Sequence, residues 1–282
     1  MRTSVLLRVA GPVAFAVALP ISGSGCSPCG TGRDCKIVEG SYRVILPAGW
    51  DDTEDLPLLI HAHGWHGAPE QYLDDPAVQD SLDQAGVILA LPRGEDTTWT
   101  VPNSGIAGSG RDDQVFLLGV LADVEDRWSV DSSRVYLSGF SLGASLISSL
   151  ACAYPDRFAA ASPMSGGFWD PQPTDCGTTP IPVCRIHGLH DLTWPVEGGR
   201  EVAAGTDPAV QHSAESDAQM WRDHNSCGAE ANDVVEAGAL TCTRWMDCSG
   251  GTEVGLCTHE GGHERFEGWL DRELEWMLQF SR

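Results

Sequence analysis

Short apolar runs alternate with amphipathic stretches along most of this chain. "YRVILP" (42–47), "LPLLIHAH" (56–63), "GVILALP" (86–92), "SRVYLSGF" (133–140), "FAAASPM" (158–164) and "IPVCRIHG" (181–188) read as strands. Several are apolar throughout, the pattern of strands covered on both faces. Between them, helical spacing appears near 76–84, 112–127 and 142–153, and again near 265–280. In that last stretch Phe266, Trp269, Leu270, Leu274, Met277 and Leu278 fall on one side, a helix-period stripe. Strands that alternate with helices build a parallel sheet, because the return to the same edge needs a helix-length connection. The expectation is one α/β domain, a mostly parallel sheet with helices on both faces. No internal repeat and no long low-complexity linker follow the first 25 residues. The expected organisation is an export signal over 1–25, a Cys- and Gly-containing segment over 26–40, and the α/β domain over 41–282, with no room for an appended module.

The first residues change where the protein is expected to work. Arg2 and Arg8 give a positive start, Val9 to Leu19 an apolar run, and Ser22-Gly23-Ser24-Gly25 a small-residue cleavage zone. That run is too short to span a bilayer. Cys26, directly after Gly25, resembles the cysteine of a bacterial lipobox, although Gly23 stands where leucine is usual. Cys26 is therefore a candidate lipid anchor; the plainer expectation is secretion with Cys26 in a disulfide. Ten cysteines fit an oxidising compartment, and all ten could pair as five bridges. Cys26 and Cys29 are a lone Cys-x-x-Cys, so no zinc knuckle is expected. The location implied is secreted, periplasmic or an outer-surface bacterial lipoprotein. Net charge is −23, and Lys36 is the only lysine. A surface this acidic repels phosphate backbones and anionic lipid, which disfavours nucleic-acid partners and simple electrostatic membrane docking.

Candidate chemistry concentrates in "GFSLGAS", where Gly139-Phe140-Ser141-Leu142-Gly143 forms a G-x-S-x-G. The motif alone is weak. A strand run before it and a helical run after it supply the strand-turn-helix setting that it requires. A serine at such a turn adopts a strained backbone and stands exposed at a helix N-terminus, where negative charge is favoured. Ser141 is the candidate nucleophile. It needs a base, and the base needs an orienting acid, in the chain order Ser, Asp or Glu, His. Asp191 lies just past the strand "IPVCRIHG", with Asp207 and Asp217 as later alternatives in less suitable surroundings. His263, after Gly261-Gly262 and before the last helix, is the candidate base; His259 reads as structural or pocket-lining. His187, His190, His212 and His224 read as packing or surface residues.

With these residues in hand, the chain resembles the extracellular polyhydroxybutyrate depolymerase/feruloyl esterase group of α/β-hydrolases. The resemblance rests on "LIHAHGWHG", "RDDQVFLLGVLADVEDRWSVDSSRVYLSGFS", "GFSLGAS", "IHGLHDLTWPVEGG" and "CTHEGGH", and extends over nearly everything from residue 40 onward. It implies an α/β-hydrolase fold, a serine carboxylesterase activity without cofactor, and Ser141, Asp191 and His263 as the triad. The substrate implied is a short hydroxyalkanoate ester or oligomer, or an aryl or acetyl ester on plant polysaccharide. Two departures stand out: Trp194 in "HDLTWP" replaces a smaller apolar residue, and "GWHG" after His63 is bulky. Acyl transfer also needs two backbone N–H donors aimed at the developing oxyanion. Leu142 is one candidate, and Trp65, in the His63-Gly64-Trp65 turn after the third strand, is the other. Trp65, His66, Trp99, Trp169 and Trp194, with Phe168, are candidate substrate-binding residues. For the aromatic ones, core packing is the equal alternative.

Two other classes of function remain open to the sequence. His61, His63 and His66 sit in "HAHGWHG", a His-x-His-x-x-His spacing that could serve a metal-dependent hydrolase. Gly64 and Trp65 occupy the place between the second and third histidines where such a site would normally carry an acid. The other class is a catalytically silent hydrolase-fold lipoprotein that binds partners at the cell surface, against which the intact Ser, Asp and His set argues.

Overall fold

A computed structural model describes residues 29–30, 32–106, 108, 110–202 and 208–282. The expected export signal over 1–25, Cys26 and Asp207 lie outside the described residues. In chain order the elements are β1 (Cys35–Ile37), β2 (Gly40–Ile45), β3 (Leu56–Ala62), α1 (Glu70–Leu73), α2 (Pro76–Ala85) and β4 (Ile88–Pro92). Then come α3 (Asp113–Arg127), β5 (Val130–Phe140), α4 (Leu142–Ala153), β6 (Ala160–Met164) and β7 (Val183–Gly188). The chain ends with β8 (Glu201–Val202), β9 (Ala209–Val210), α5 (Ala214–His224), β10 (Asp233–Ala237), β11 (Leu240–Trp245), β12 (Val254–His259) and α6 (Trp269–Met277).

Ten strands form one sheet in the order β1-β2-β4-β3-β5-β6-β7-β12-β11-β10, and β8 pairs with β9 separately. From β4 to β12 every neighbour is parallel. The two margins, β1-β2-β4 and β12-β11-β10, are antiparallel. All six expected strands and all four expected helices are present, with ends shifted by a few residues. The helices α1 and α5 and the margin strands β10 and β11 are additional to that reading, as are β1, β12 and the β8–β9 pair.

The apolar runs are explained by the two faces. Leu58, Ile60, Val135, Leu137 and Val183 pack with Phe116 and Leu117 of α3 and Leu146 and Leu150 of α4. Their strand neighbours Leu59, Tyr136, Ala160, Met164 and Ile186 pack with Leu82 of α2 and Leu270, Leu274 and Met277 of α6. Alternate side chains point to opposite faces, so a sheet covered twice must be apolar at consecutive positions. Local chemistry sets the helix ends. Asp75 caps α2 by accepting from the Ala77 amide, Pro76 sits in the first turn, and Gly86 ends the helix in the left-handed region at φ 63°.

The apolar face of α6 carries one exception. Glu273 is buried and accepts from Ser138 Oγ of β5 at 2.6 Å, with Ser162 Oγ of β6 at 2.9 Å. Ser138 Oγ also meets His61 Nδ1 at 2.9 Å, and His61 Nε2 meets Tyr72 Oη at 2.8 Å. This polar brace crosses three central strands. Burial pushes the Glu273 carboxyl up to about 8, so at neutral pH it holds a proton.

Among the described residues, four disulfides join Cys29 to Cys35, Cys152 to Cys176, Cys227 to Cys248 and Cys242 to Cys257. The expectation of five bridges is corrected here, because Cys184 is a buried free thiol. Cys242 and Cys257 face each other directly across β11 and β12, whereas Cys184 on β7 lies opposite Gly255. Its sulfur therefore stops 3.4 Å from Cys257 Sγ, beside a bridge already made.

Candidate active site

Because β3, β5, β7 and β12 run parallel, the loops that leave them emerge along one edge of the sheet. Those loops carry Gly64–His66, Ser141, Asp191 and His263. The sequence expectation for each therefore falls at the same edge, the place where open α/β sheets bind ligands.

Ser141 sits between β5 and α4 with φ 56° and ψ −121°, a conformation costly for a residue with a side chain. Its amide donates to Met164 O at 2.9 Å, and its carbonyl accepts from Ser145 N at 3.2 Å. Gly143 allows the tight turn: a Cβ there would overlap the Ala62 and His63 carbonyls, so only glycine lets α4 begin so close to β3. The serine hydroxyl thus stands at the N-terminus of a helix of 12 residues, on the side of positive potential.

Asp191, His263 and Ser141 form a continuous hydrogen-bonded chain. His263 Nδ1 lies 2.7 Å from Asp191 Oδ2, and His263 Nε2 lies 2.8 Å from Ser141 Oγ. With an ionised carboxylate as acceptor, the proton sits on Nδ1, and Nε2 offers its lone pair to the serine hydroxyl. The other carboxylate oxygen, Asp191 Oδ1, accepts from the Thr193 and Trp194 amides at 2.8 and 2.7 Å. Burial by itself raises the Asp191 carboxyl, but hydrogen bonds from His263 and the Trp194 amide and the charges of His263 and His187 outweigh it. The net result lies below the ordinary carboxylate range. Sequence reasoning did not single out the two amides, although Asp followed by a polar residue two positions on is a recognisable side-chain-to-backbone turn.

The turn after β3 is fixed from beneath. His63 Nδ1 donates to Gly64 O at 2.8 Å, its Nε2 accepts from Gly94 N at 3.0 Å, and Trp99 Nε1 donates to His63 O at 2.7 Å. Burial pushes the His63 pKa down to about 4, which keeps the ring neutral in this role. Among the described residues, neither the Leu142 nor the Trp65 amide donates to a protein acceptor.

The candidate pocket residues divide. Trp65 is 57% exposed and stacks on the exposed His66, with ring centroids 4.3 Å apart. Trp99, Phe168, Trp169 and Trp194 are buried in the core and are accounted for by packing. Trp169 and Trp194 meet edge to face at 4.9 Å, and Trp194 Nε1 donates to His212 O at 3.0 Å. His259 is buried, accepts from the Gly261 amide at 3.1 Å and packs on Phe266. Asp217, the alternative acid, lies in α5 and pairs with Arg185 at 3.0 Å. For the metal reading, His61 and His63 have both ring nitrogens engaged by protein groups, while His66 is exposed beside Trp65. Among the described residues no group of three His, Cys, Asp or Glu side chains is placed to hold a metal ion.

The chain is similar to known proteins. The chain matches the family described as esterase PHB depolymerase over residues 40–173, and that described as phospholipase/carboxylesterase over residues 112–237. It is 26% identical over 248 residues to a probable feruloyl esterase C of Aspergillus terreus, an alignment covering 86% of this chain and 83% of the relative. To feruloyl esterase C of Emericella nidulans it is 27% identical over 266 residues, covering 89% and 88%. Among solved structures it resembles an acetyl xylan esterase from Aspergillus awamori, with TM-score 0.58, 15% identity and coverage of 84% of this chain and 93% of that one. An S-formylglutathione hydrolase from Staphylococcus aureus has TM-score 0.56 at 14% identity, covering 87% and 97%. At such identities these two structures speak for the fold alone. Sequence models, fold and relatives converge: the chain is a carboxylic ester hydrolase of α/β-hydrolase fold, similar to the esterase PHB depolymerase family over residues 40–173 and to feruloyl esterases over most of its length.

Proposed function

We propose that the protein is an exported serine esterase in which Ser141, His263 and Asp191 act as one unit, acting on aryl or acetyl esters of plant polysaccharide or on short hydroxyalkanoate esters. The observation that carries this reading is the unbroken chain Ser141 Oγ–His263 Nε2 at 2.8 Å and His263 Nδ1–Asp191 Oδ2 at 2.7 Å. Ser141 Oγ attacks the ester carbonyl while His263 Nε2 takes its proton. Asp191 stays ionised and stabilises the imidazolium that forms. The oxyanion of the tetrahedral intermediate rests on the Leu142 and Trp65 amides. His263 returns the proton to the leaving alcohol, and water then releases the acyl group by the same route. The catalytic unit is residues 41–282.

In this reading the exposed, stacked Trp65 and His66 wall the mouth of the site, because Gly64 just before them lies against Ser141, and the exposed Leu189 and Leu192 flank Asp191 on the loop after β7. An exposed stacked pair of rings favours a flat aryl acyl group over a small one. Export through the 1–25 signal agrees with four disulfides. Plain secretion is the reading favoured, with a lipid on Cys26 as the alternative; intact-mass measurement of the exported protein distinguishes them.

The deciding experiment is a hydrolysis panel of methyl ferulate, acetylated xylan and hydroxybutyrate oligomers, run beside Ser141→Ala and with fluorophosphonate labelling. The expected result is ester hydrolysis and labelling by the wild type and neither by the variant. Labelling elsewhere, or hydrolysis that survives Ser141→Ala, would sink the triad reading.

A further inference from the structure

The loop bearing Asp191 and the turn bearing Ser141 come from different strands, yet one buried side chain touches the support of both. Arg185 and His187 lie two residues apart on β7 and so share a face of the sheet, and both are essentially fully buried. Arg185 Nη1 is paired with Asp217 Oδ2 at 3.0 Å, and each side chain is 1% exposed. The same nitrogen donates to Gly166 O, and Nη2 faces His187 Nδ1 at 3.5 Å. Gly166 in turn lies against the nucleophile: a Cβ there would overlap the Ser141 carbonyl.

On the other arm, guanidinium nitrogens only donate, so His187 Nδ1 is the acceptor and Nε2 carries the proton. His187 Nε2 donates to Trp194 O at 2.7 Å and lies 3.7 Å from Asp191 Oδ2, the oxygen that receives His263. The Trp194 amide is also a donor to Asp191 Oδ1. His187 therefore closes the 191–194 turn around the carboxylate from below while pointing a polarised N–H towards it. Asp217 is held in its turn by the Phe168 amide at 3.1 Å and Gln172 Nε2 at 2.8 Å, so α5 anchors the ion pair to the segment that follows Ser141's neighbour strand.

We infer that Arg185, clamped by Asp217, is a keystone that positions both ends of the Ser141–His263–Asp191 unit, acting through Gly166 at the nucleophile and through His187 at the acid. A buried ion pair is a poor source of stability, because desolvation consumes most of the attraction. A rigid charge with several planar donors is a good way to fix the relation between two loops. His187 faces Arg185, Asp191, His263 and the Trp194 carbonyl. Burial and the Arg185 charge push its pKa down to about 4, so it stays a neutral, singly oriented support over the range in which His263 works. Arg185, Asp217 and His187 touch no substrate; they are positioning residues.

The inference rests on the triad reading, and its test separates the two. The probe is 4-nitrophenyl acetate, with kcat and KM measured across pH. His187→Leu removes the donor to Trp194 O, and His187→Gln keeps an N–H close to the place of Nε2. For His187→Leu, kcat is expected to fall about a hundredfold with KM little changed, the size of effect that a small misplacement of a reacting group produces. The acid limb of the profile should move to lower pH, because a displaced Asp191 stabilises the His263 imidazolium less. His187→Gln should recover most of kcat and restore the limb. Where His187→Leu does not fold, His187→Asn, which keeps an acceptor for Arg185 but loses the reach to Trp194, makes the same comparison against His187→Gln. A wild-type kcat and limb in the folded Leu or Asn variant, even with a lowered Tm, would overturn the inference. Equal impairment in His187→Gln would overturn it as well. Ser141→Ala, run alongside, is expected to be inactive; activity there overturns the triad reading and this inference with it.

Discussion

The parallel middle of the sheet and its antiparallel far margin are built by different means. From β4 to β7 the strands are covered on both faces and carry buried, largely apolar side chains at consecutive positions, with His61, Ser138, Ser162, Arg185 and His187 as polar exceptions. In the margin, β10 alternates between partly buried and exposed residues, and β11 has buried positions separated by exposed or half-buried ones. Two of the four bridges, Cys227–Cys248 and Cys242–Cys257, fall in this margin. One half is held by apolar burial, which is extensive and non-directional; the other needs covalent ties, because its strands bury one face at most. The candidate active site draws on both. Ser141 leaves the middle of the sheet, whereas His263 follows β12, the strand that joins the middle to the margin.

If the two regions act as one catalytic unit, removing either partner should cost nearly everything. Ser141→Ala and His263→Ala should each lower kcat about a million-fold, and the double variant hardly more. Additive losses would break the unit apart; single-turnover and steady-state rates decide. Next in size is the covalent tie. Replacing Cys242 and Cys257 by alanine, in a Cys184→Ala background, opens a loop of 15 residues and should cost about 3 kcal/mol in a urea titration. No change in midpoint would mean that the margin holds itself without the bridge.

The polar brace in the middle gives a pH-dependent effect. The folded protein keeps the Glu273 proton up to about 8, whereas the unfolded chain loses it in the ordinary carboxylate range. The associated stability is fully present in acid, declines as pH rises towards 8, and is gone above that. Glu273→Gln should flatten this decline and raise Tm near pH 8; an unchanged slope in Tm against pH would show that another group sets it. The smallest effect belongs to the exposed wall. Trp65→Ala should raise KM for methyl ferulate about three- to tenfold with no change in Tm, since the ring stands largely in solvent.

The same contrast explains what could be read from the residues alone. "IPVCRIHG" and "LPLLIHAH" announce doubly covered strands, and G-x-S-x-G announces its turn, because each leaves a pattern that little else produces. Helix α5 was opaque: its buried stripe of Ala214, Asp217, Ala218 and Trp221 includes a carboxylate, which makes sense only once Arg185 is seen opposite it. The margin strands were opaque because "DVVEA" and "LTCTRW" bury too little to separate a strand from a loop. Of the site, chain order pointed to Ser141, Asp191 and His263, and the geometry brings these three together. It could not tell the exposed Trp65 from the buried Trp99, Trp169 and Trp194, since tryptophan suits a pocket wall and a core equally well. Nor could it show that His187 stands beneath the acid rather than on the surface.

The free thiol of Cys184, 3.4 Å from Cys257 Sγ, bears on how this protein dies rather than how it works. Burial holds that thiol protonated, and a protonated thiol does not attack a disulfide. Heat that opens the margin wets the sulfur and lets it ionise. Its thiolate then attacks Cys257 Sγ, forming a Cys184–Cys257 bond and expelling Cys242 as the new thiolate, with no oxidant or reductant consumed. Loss of activity on heating is then expected to be faster at alkaline pH and slower in Cys184→Ala, so the useful lifetime of the enzyme is read as a rate rather than an equilibrium.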